Sequence, residues 1–88
     1  MGYKISYTKK FEKNYKQLSK NEQKILKEKI KLLIENPMHP SLRTKKIQGT
    51  DNFMEFSVNM SIRVIWYYEN DNIILMLDIG HHDILKKF

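Results

Sequence analysis

This sequence of 88 residues predicts an α+β fold: two N-terminal antiparallel helices packed on a small, mainly antiparallel sheet, in the order β-α-α-β-β-β. Three observations carry that expectation. Apolar residues recur at helical spacing between positions 8 and 35, and they switch to alternation after Gly49. With no cysteine in the chain, neither a disulfide nor a thiolate metal site can stand in for packing. At this length there is room for one domain, residues 1–88, with one modest core, because so short a chain buries only about 60 to 65% of its unfolded surface.

Tyr3, Ile5 and Tyr7 alternate with Lys4 and Ser6, the pattern of a short strand with one apolar face. Thr8 is placed to cap a helix whose Phe11, Tyr15 and Leu18 fall on one side. Ser19 and Glu22 match a capping box, which starts a second helix running from Lys20 to Glu35. Its stripe is Leu26, Ile30 and Leu33, flanked by Ile25 and Ile34, and Asn36-Pro37 ends it. The lysines fall mainly outside the stripe, so the helix pair sets a greasy face on the sheet and a basic face in water.

Residues 38–46 read as a loop with Arg43, Lys45 and Lys46 at its end, and His39 reads as loop surface. Met54, Phe56 and Val58 alternate with Glu55 and Ser57, and Ile62, Val64 and Trp66 alternate around Arg63. That implies two strands with a turn near 59–61. Glu69-Asn70-Asp71-Asn72 is a stronger turn. The nearly continuous apolar run 73–79 suits a strand buried on both faces in the middle of a sheet, ended by Gly80.

The 41% apolar content, with only three Gly and two Pro, argues against disorder. No apolar run approaches the roughly 18 residues of a membrane span, and the N-terminus has no hydrophobic stretch suited to a signal peptide, so the expected compartment is the cytoplasm. Charge is unevenly distributed. Residues 1–50 hold twelve lysines and Arg43 against Glu12, Glu22, Glu28 and Glu35, a balance of +9, whereas residues 51–88 carry −3. A positive half of this kind attracts polyanions, either nucleic acid or an acidic protein segment; by itself it also suits a merely solvated helix face.

Three polar features stand where the pattern does not require them. Arg63 interrupts an apolar strand and is one of only two arginines among sixteen basic residues. Its planar fork suits a phosphate, while a salt bridge to Glu55 or Asp78 is the structural alternative. Gly80-His81-His82-Asp83 follows the last strand, where a rigid sheet can present an imidazole for proton transfer; solvated loop histidines are the alternative. Neighbouring His, His and Asp do not make a convergent metal site. Lys45-Lys46 is a common surface pair unless the strand order brings it toward Arg63 and the histidines. Trp66, Tyr67 and Tyr68 read as sheet packing rather than as platforms for bases.

The element order, the lysines before Gly49, Ser61-Ile62-Arg63-Val64-Ile65-Trp66 followed by a polar turn, and Ile79-Gly80-His81-His82-Asp83 together resemble the RelE/ParE superfamily of toxins, closest to its RelE and YafQ-like branch. The resemblance spans nearly the whole chain. It implies the toxin of a type II toxin-antitoxin system, a ribosome-dependent mRNA endoribonuclease that needs no cofactor or metal. The partners implied are a cognate acidic antitoxin, the ribosome and mRNA, with no membrane. Arg63 matches the strand arginine that stabilises the scissile phosphate. His82 matches the histidine of the Gly-x-His segment and would be the general acid. Lys45 falls at the base position, and Lys46 would share charge stabilisation with Arg63. Arg43, Lys46, His81 and Phe88 would bind substrate, Phe88 as a C-terminal aromatic. Departures from the pattern are Lys86 where some relatives carry that aromatic, Glu55 and Ser57 where several are basic, and Asp78 where some have an arginine. A ParE-like, non-enzymatic gyrase poison and an RNA-binding domain with a degenerate site are the competing readings.

Overall fold

β1 (Lys4–Tyr7), α1 (Lys9–Tyr15) and α2 (Lys20–Glu35) form from local chemistry that the sequence displays. The structure, a computed structural model, describes residues 2–81 together with Asp83 and Ile84. Thr8 caps α1 by accepting from the Phe11 N–H at 3.0 Å. At α2 the full capping box is present: Ser19 Oγ accepts from the Glu22 N–H at 3.1 Å, and Glu22 Oε1 accepts from the Ser19 N–H at 2.9 Å. α1 ends at Tyr15, so Leu18, expected on its face, lies in the connection instead and still packs against the core.

Residues 38–46 are more ordered than a loop. A 3-10 turn (Pro40–Leu42) is capped by His39, whose Nδ1 accepts from the Ser41 N–H at 3.1 Å, so His39 has a structural partner that the sequence did not reveal. Lys45–Lys46 then forms a short strand, β2, which makes five strands where four were expected. β3 (Met54–Ser57), β4 (Ile62–Tyr68) and β5 (Ile73–His81) complete the sheet. The two hairpins use one device: Asn59 Oδ1 accepts from Ser61 and Ile62, each at 2.8 Å, and Asn70 Oδ1 accepts from Asn72 at 2.8 Å and Ile73 at 3.0 Å. In each case an Asn side chain closes the turn and sets the register of the next strand.

The sheet order is β1-β5-β4-β3-β2, with β1 parallel to β5 and the other pairs antiparallel. Both helices lie over one face. Phe11, Leu26 and Leu33 pack there against Phe56, Ile62, Val64, Trp66, Ile74, Met76 and Ile79, all buried. Among the described residues, the opposite face carries a small cluster of Ile47, Ile65 and Ile84, with Phe53 and Leu77 beside it. Ile73, Leu75 and Leu77 are therefore only half-buried, and β5 is not buried on both faces as its apolar run implied. β4 is the central strand, with Ile62, Val64, Ile65 and Trp66 fully buried. Gly80 does not end β5; the strand continues through His81.

A register shift interrupts the β4–β5 ladder. Ile65 pairs with Asp78 but Trp66 pairs with Met76, leaving Leu77 as the extra residue of a bulge. β1 pairs only with residues 73–76 of β5, and where it stops, α1 covers the remaining edge. Thr8 supplies the polar contacts at this junction: its N–H reaches the Met76 carbonyl at 3.1 Å, and its hydroxyl reaches the Leu77 carbonyl at 2.6 Å.

Candidate active site on the helix-free face

Strand alternation divides the polar residues between the two faces. Phe56, Ile62 and Val64 belong to the core beneath the helices, so Glu55, Ser57 and Arg63 point to the other face. Arg63 lies opposite Ser57 on one side and Gly80 on the other. Two of the smallest residues thus flank the guanidinium and leave room around it. A Cβ at Gly80 would meet Ile84 Cδ1 at 3.1 Å, so a larger residue there would press on Ile84 and displace its side chain by a few tenths of an ångström.

The guanidinium is held at one end. Its Nη1 donates to the Asn59 carbonyl at 2.7 Å and the Ile62 carbonyl at 3.2 Å, and its Nε stands 3.8 Å from Glu55 Oε1. Among the described residues its Nη2 end has no hydrogen bond. Of the two salt-bridge partners considered from sequence, Glu55 is present at long range, and Asp78 is occupied elsewhere by Asn14 and Lys10. An arginine with one end anchored and the other open can present its fork to a phosphate without first losing the freedom of a long side chain.

The remaining site residues divide as follows. Lys45 is exposed and pairs with Glu55, so it shares the Arg63 face. Lys46 pairs with Met54, which packs against the helix-side core, so the two lysines point to opposite faces and Lys46 is separated from Arg63. Arg43 ends the 3-10 turn with a positive φ of 52°. It lines a shallow hollow with Lys29, Ser41, Ser57, Asn59 and Met60, and so approaches the hairpin that anchors Arg63 from its outer side. His81 pairs with Ile62 and lines a cleft of about 240 Å³ with Asn14, Gln17 and Glu22, on the helix side. His82 and Phe88 lie outside the described residues, and the nearest described strand residues before His82 are Gly80, directly across from Arg63, and His81. Among the described residues, no three of His, Cys, Asp and Glu gather as a metal-binding set.

Sequence reading missed the supporting parts of this site. Ser57 and Gly80 are spacers and Asn59 anchors the guanidinium through its backbone, whereas Glu55 is legible in the sequence as an ion-pair candidate for Arg63. Of the other three, Gly80 left a trace in the sequence, as a glycine close to a strand end.

The fold, a helix pair on one face of a five-stranded mixed sheet, is shared with solved RelE-type toxins. Solved structures of similar architecture include the RelE–RelB complex of the archaeon Pyrococcus horikoshii OT3 (21% identity, 92% of this chain and 96% of that chain covered, TM-score 0.74). The E. coli DinJ–YafQ toxin–antitoxin complex is also similar (21% identity, 97% and 98% covered, TM-score 0.77), as is the YoeB dimer from Staphylococcus aureus (18%, 93% and 99%, TM-score 0.79). A comparison with curated protein sequences gives no match. The family model of YafQ, bacterial toxin of type II toxin-antitoxin system, matches residues 3–87, and the chain belongs to that family.

Proposed function

We propose that this chain is a ribosome-dependent mRNA endoribonuclease that inhibits translation from the cytoplasm, acting as one toxin domain and silenced by a cognate antitoxin. The observation that carries this reading is Arg63, held between Ser57 and Gly80 beside Glu55, with an Nη2 end that has no hydrogen bond among the described residues, and paired with Gly80, two residues before His82 in the sequence. No helix among the described residues is long and apolar enough to cross a membrane.

The reaction is attack of the substrate's own 2′-hydroxyl on the adjacent phosphorus. The O2′–P bond forms, the P–O5′ bond breaks, and a 2′,3′-cyclic phosphate is left. A base takes the 2′-hydroxyl proton, a cation holds the charge that builds on the phosphoryl oxygens, and an acid returns a proton to the leaving 5′-oxygen. Arg63 stabilises the charge and His82 is the acid. Lys45, which pairs with Glu55, is assigned the base role, and the Glu55 carboxylate is the alternative base. Arg43 and Phe88 extend substrate contact, while Lys46 and His81, turned to the helix side, serve contacts away from the scissile bond. Metal is not required by this scheme. The family to which the chain belongs supports the toxin reading, and the acid–base set supports a nuclease over a gyrase poison, which needs no acid.

The relatives crystallised with antitoxins support an antitoxin partner here. Ribosomal positioning of the messenger would supply the orientation that a small open site lacks. Mapping messenger 5′ ends after brief expression tests the reading: new in-frame cleavage ends are expected with the wild type and not with Arg63→Ala or His82→Ala. Comparing Lys45→Ala with Glu55→Gln identifies the base. Growth arrest with DNA damage and intact messenger would replace this reading with gyrase poisoning.

A further inference from the structure

Asp78 is fully buried, and its carboxylate meets side chains of α1 rather than Arg63. It sits at the β5 bulge, where β1 has ended and α1 covers the strand edge. Its Oδ1 accepts from Asn14 Nδ2 at 2.6 Å and from the Ile79 N–H at 2.8 Å. Oδ2 faces Lys10 Nζ at 3.2 Å, an ion pair without hydrogen-bond geometry. Lys10 is 55% exposed, so its share is screened and Asn14 is the principal tie. A buried carboxylate is retained in a protein only when its partners are in place, and an apolar side chain of similar size would fill the same space without needing them. What the carboxylate adds is direction. It fixes a side chain of α1 and a backbone N–H of β5 to a single geometry, two residues before Gly80 and four before His82.

The geometry points to Asp78 as a positioning residue: clamped by Asn14 and Lys10 of α1, it locks the bulge and sets the path of Ile79, Gly80 and His81, the residues that precede His82 in the sequence, with Gly80 directly across from Arg63. This rests on the nuclease reading for its catalytic consequence, but not for its mechanical one. Asp78 therefore supports the site from behind and takes no part in it.

The variants are Asn14→Ala, Asn14→Asp, and the exchange pair Asn14→Asp with Asp78→Asn, which reverses donor and acceptor across the same gap. The mechanical measurement is amide hydrogen exchange in the intact protein. Asn14→Ala should speed exchange at Ile79, Gly80 and His81 by about tenfold while Val64 and Phe56 are unchanged, and the exchange pair should restore protection. The catalytic measurement is single-turnover messenger cleavage on translating ribosomes. Asn14→Ala and Asn14→Asp should lower the rate about tenfold at unchanged ribosome affinity, and the exchange pair should bring it back to within about threefold. Uniform loss of protection across β3, β4 and β5, unchanged protection at the three amides, or a rate that the exchange pair fails to recover would overturn the proposal. If the wild type cleaves no messenger, the nuclease reading fails while the exchange measurement still decides the clamp.

Discussion

Arg63 illustrates how one side chain is made specific by small neighbours. Its charge alone does not distinguish it from the fourteen lysines; its anchoring to two carbonyls and the space left by Ser57 and Gly80 do. Arg63→Lys keeps the charge and loses the fork, so cleavage should fall nearly as far as in Arg63→Ala. Both proteins should stay folded, because neither change touches the helix-side core of Phe11, Leu26, Phe56 and Val64. Thermal unfolding beside messenger-end mapping checks this; a loss of roughly 2 to 5 kcal/mol, as for a core truncation, would make Arg63 structural. His82→Ala should abolish activity and His81→Ala should matter less, since His81 turns to the helix side. Equal losses would defeat that assignment. A second residue-scale prediction concerns alkaline stability. Burial first, then the charge and hydroxyl of Tyr3, raises the Tyr68 phenol above its ordinary 10.0. The fold thus prefers the neutral phenol: its contribution is complete below about pH 10 and is lost as pH climbs through the raised folded value. Tyr68→Phe, which keeps the ring edge-on to Trp66, should lose stability less steeply above pH 10. Parallel melting curves for the two proteins across that range would count against it.

At the scale of elements, the junction of β1, α1 and β5 does the most to shape the site. β1 is short and covers only four residues of β5, so a helix must cover the rest, and a helix offers side chains rather than a ladder of backbone groups. Thr8 serves two purposes there, capping α1 and donating its hydroxyl to the Leu77 carbonyl. Thr8→Ala removes both and should cost about 1 to 2 kcal/mol, against about 1 kcal/mol for Ser19→Ala at the exposed capping box of α2. Chemical denaturation of the two variants compares them directly; a smaller loss at Thr8 than at Ser19 would mean that the Leu77 contact is not worth its geometry.

Across the whole molecule, the two faces of the sheet are divided by charge and task. The exposed lysines of α1 and α2 make the helix layer strongly positive, and the exposed Asp51, Glu69, Asp71 and Asp83 lie outside that layer. The positive layer suits ribosomal RNA or an acidic antitoxin segment, while the open site lies on the opposite face. An antitoxin that both neutralises the lysines and silences Arg63 has to reach around the sheet, which favours a segment that folds on binding. Its association should be steered by charge. Raising ionic strength from about 0.01 to 0.15 M shortens the screening length from about 30 to 8 Å, so association should slow far more than dissociation quickens. Stopped-flow association at several salt concentrations tests this. A rate indifferent to salt would leave the lysines to the ribosome alone.

The sequence by itself determined the local structure, because the capping box at Ser19, the Thr8 cap, the helical stripe and the alternation around Phe56 and Val64 are written in neighbouring residues. It marked Arg63 for the same reason, as a charge out of place in an apolar strand. Tertiary structure alone decided everything that depends on pairing between distant strands. The opposite orientations of Lys45 and Lys46 follow from their partners Glu55 and Met54, and the half-covered face of β5 follows from the helices occupying only one side. Asp78 shows the difference most clearly. Read along the chain it stands where some relatives place an arginine and suggests a weakened site; in the structure it is buried beside a bulge and bonded to Asn14 of α1. Side-chain direction in a strand is set by register, and register is a property of two strands, so no single segment contained it.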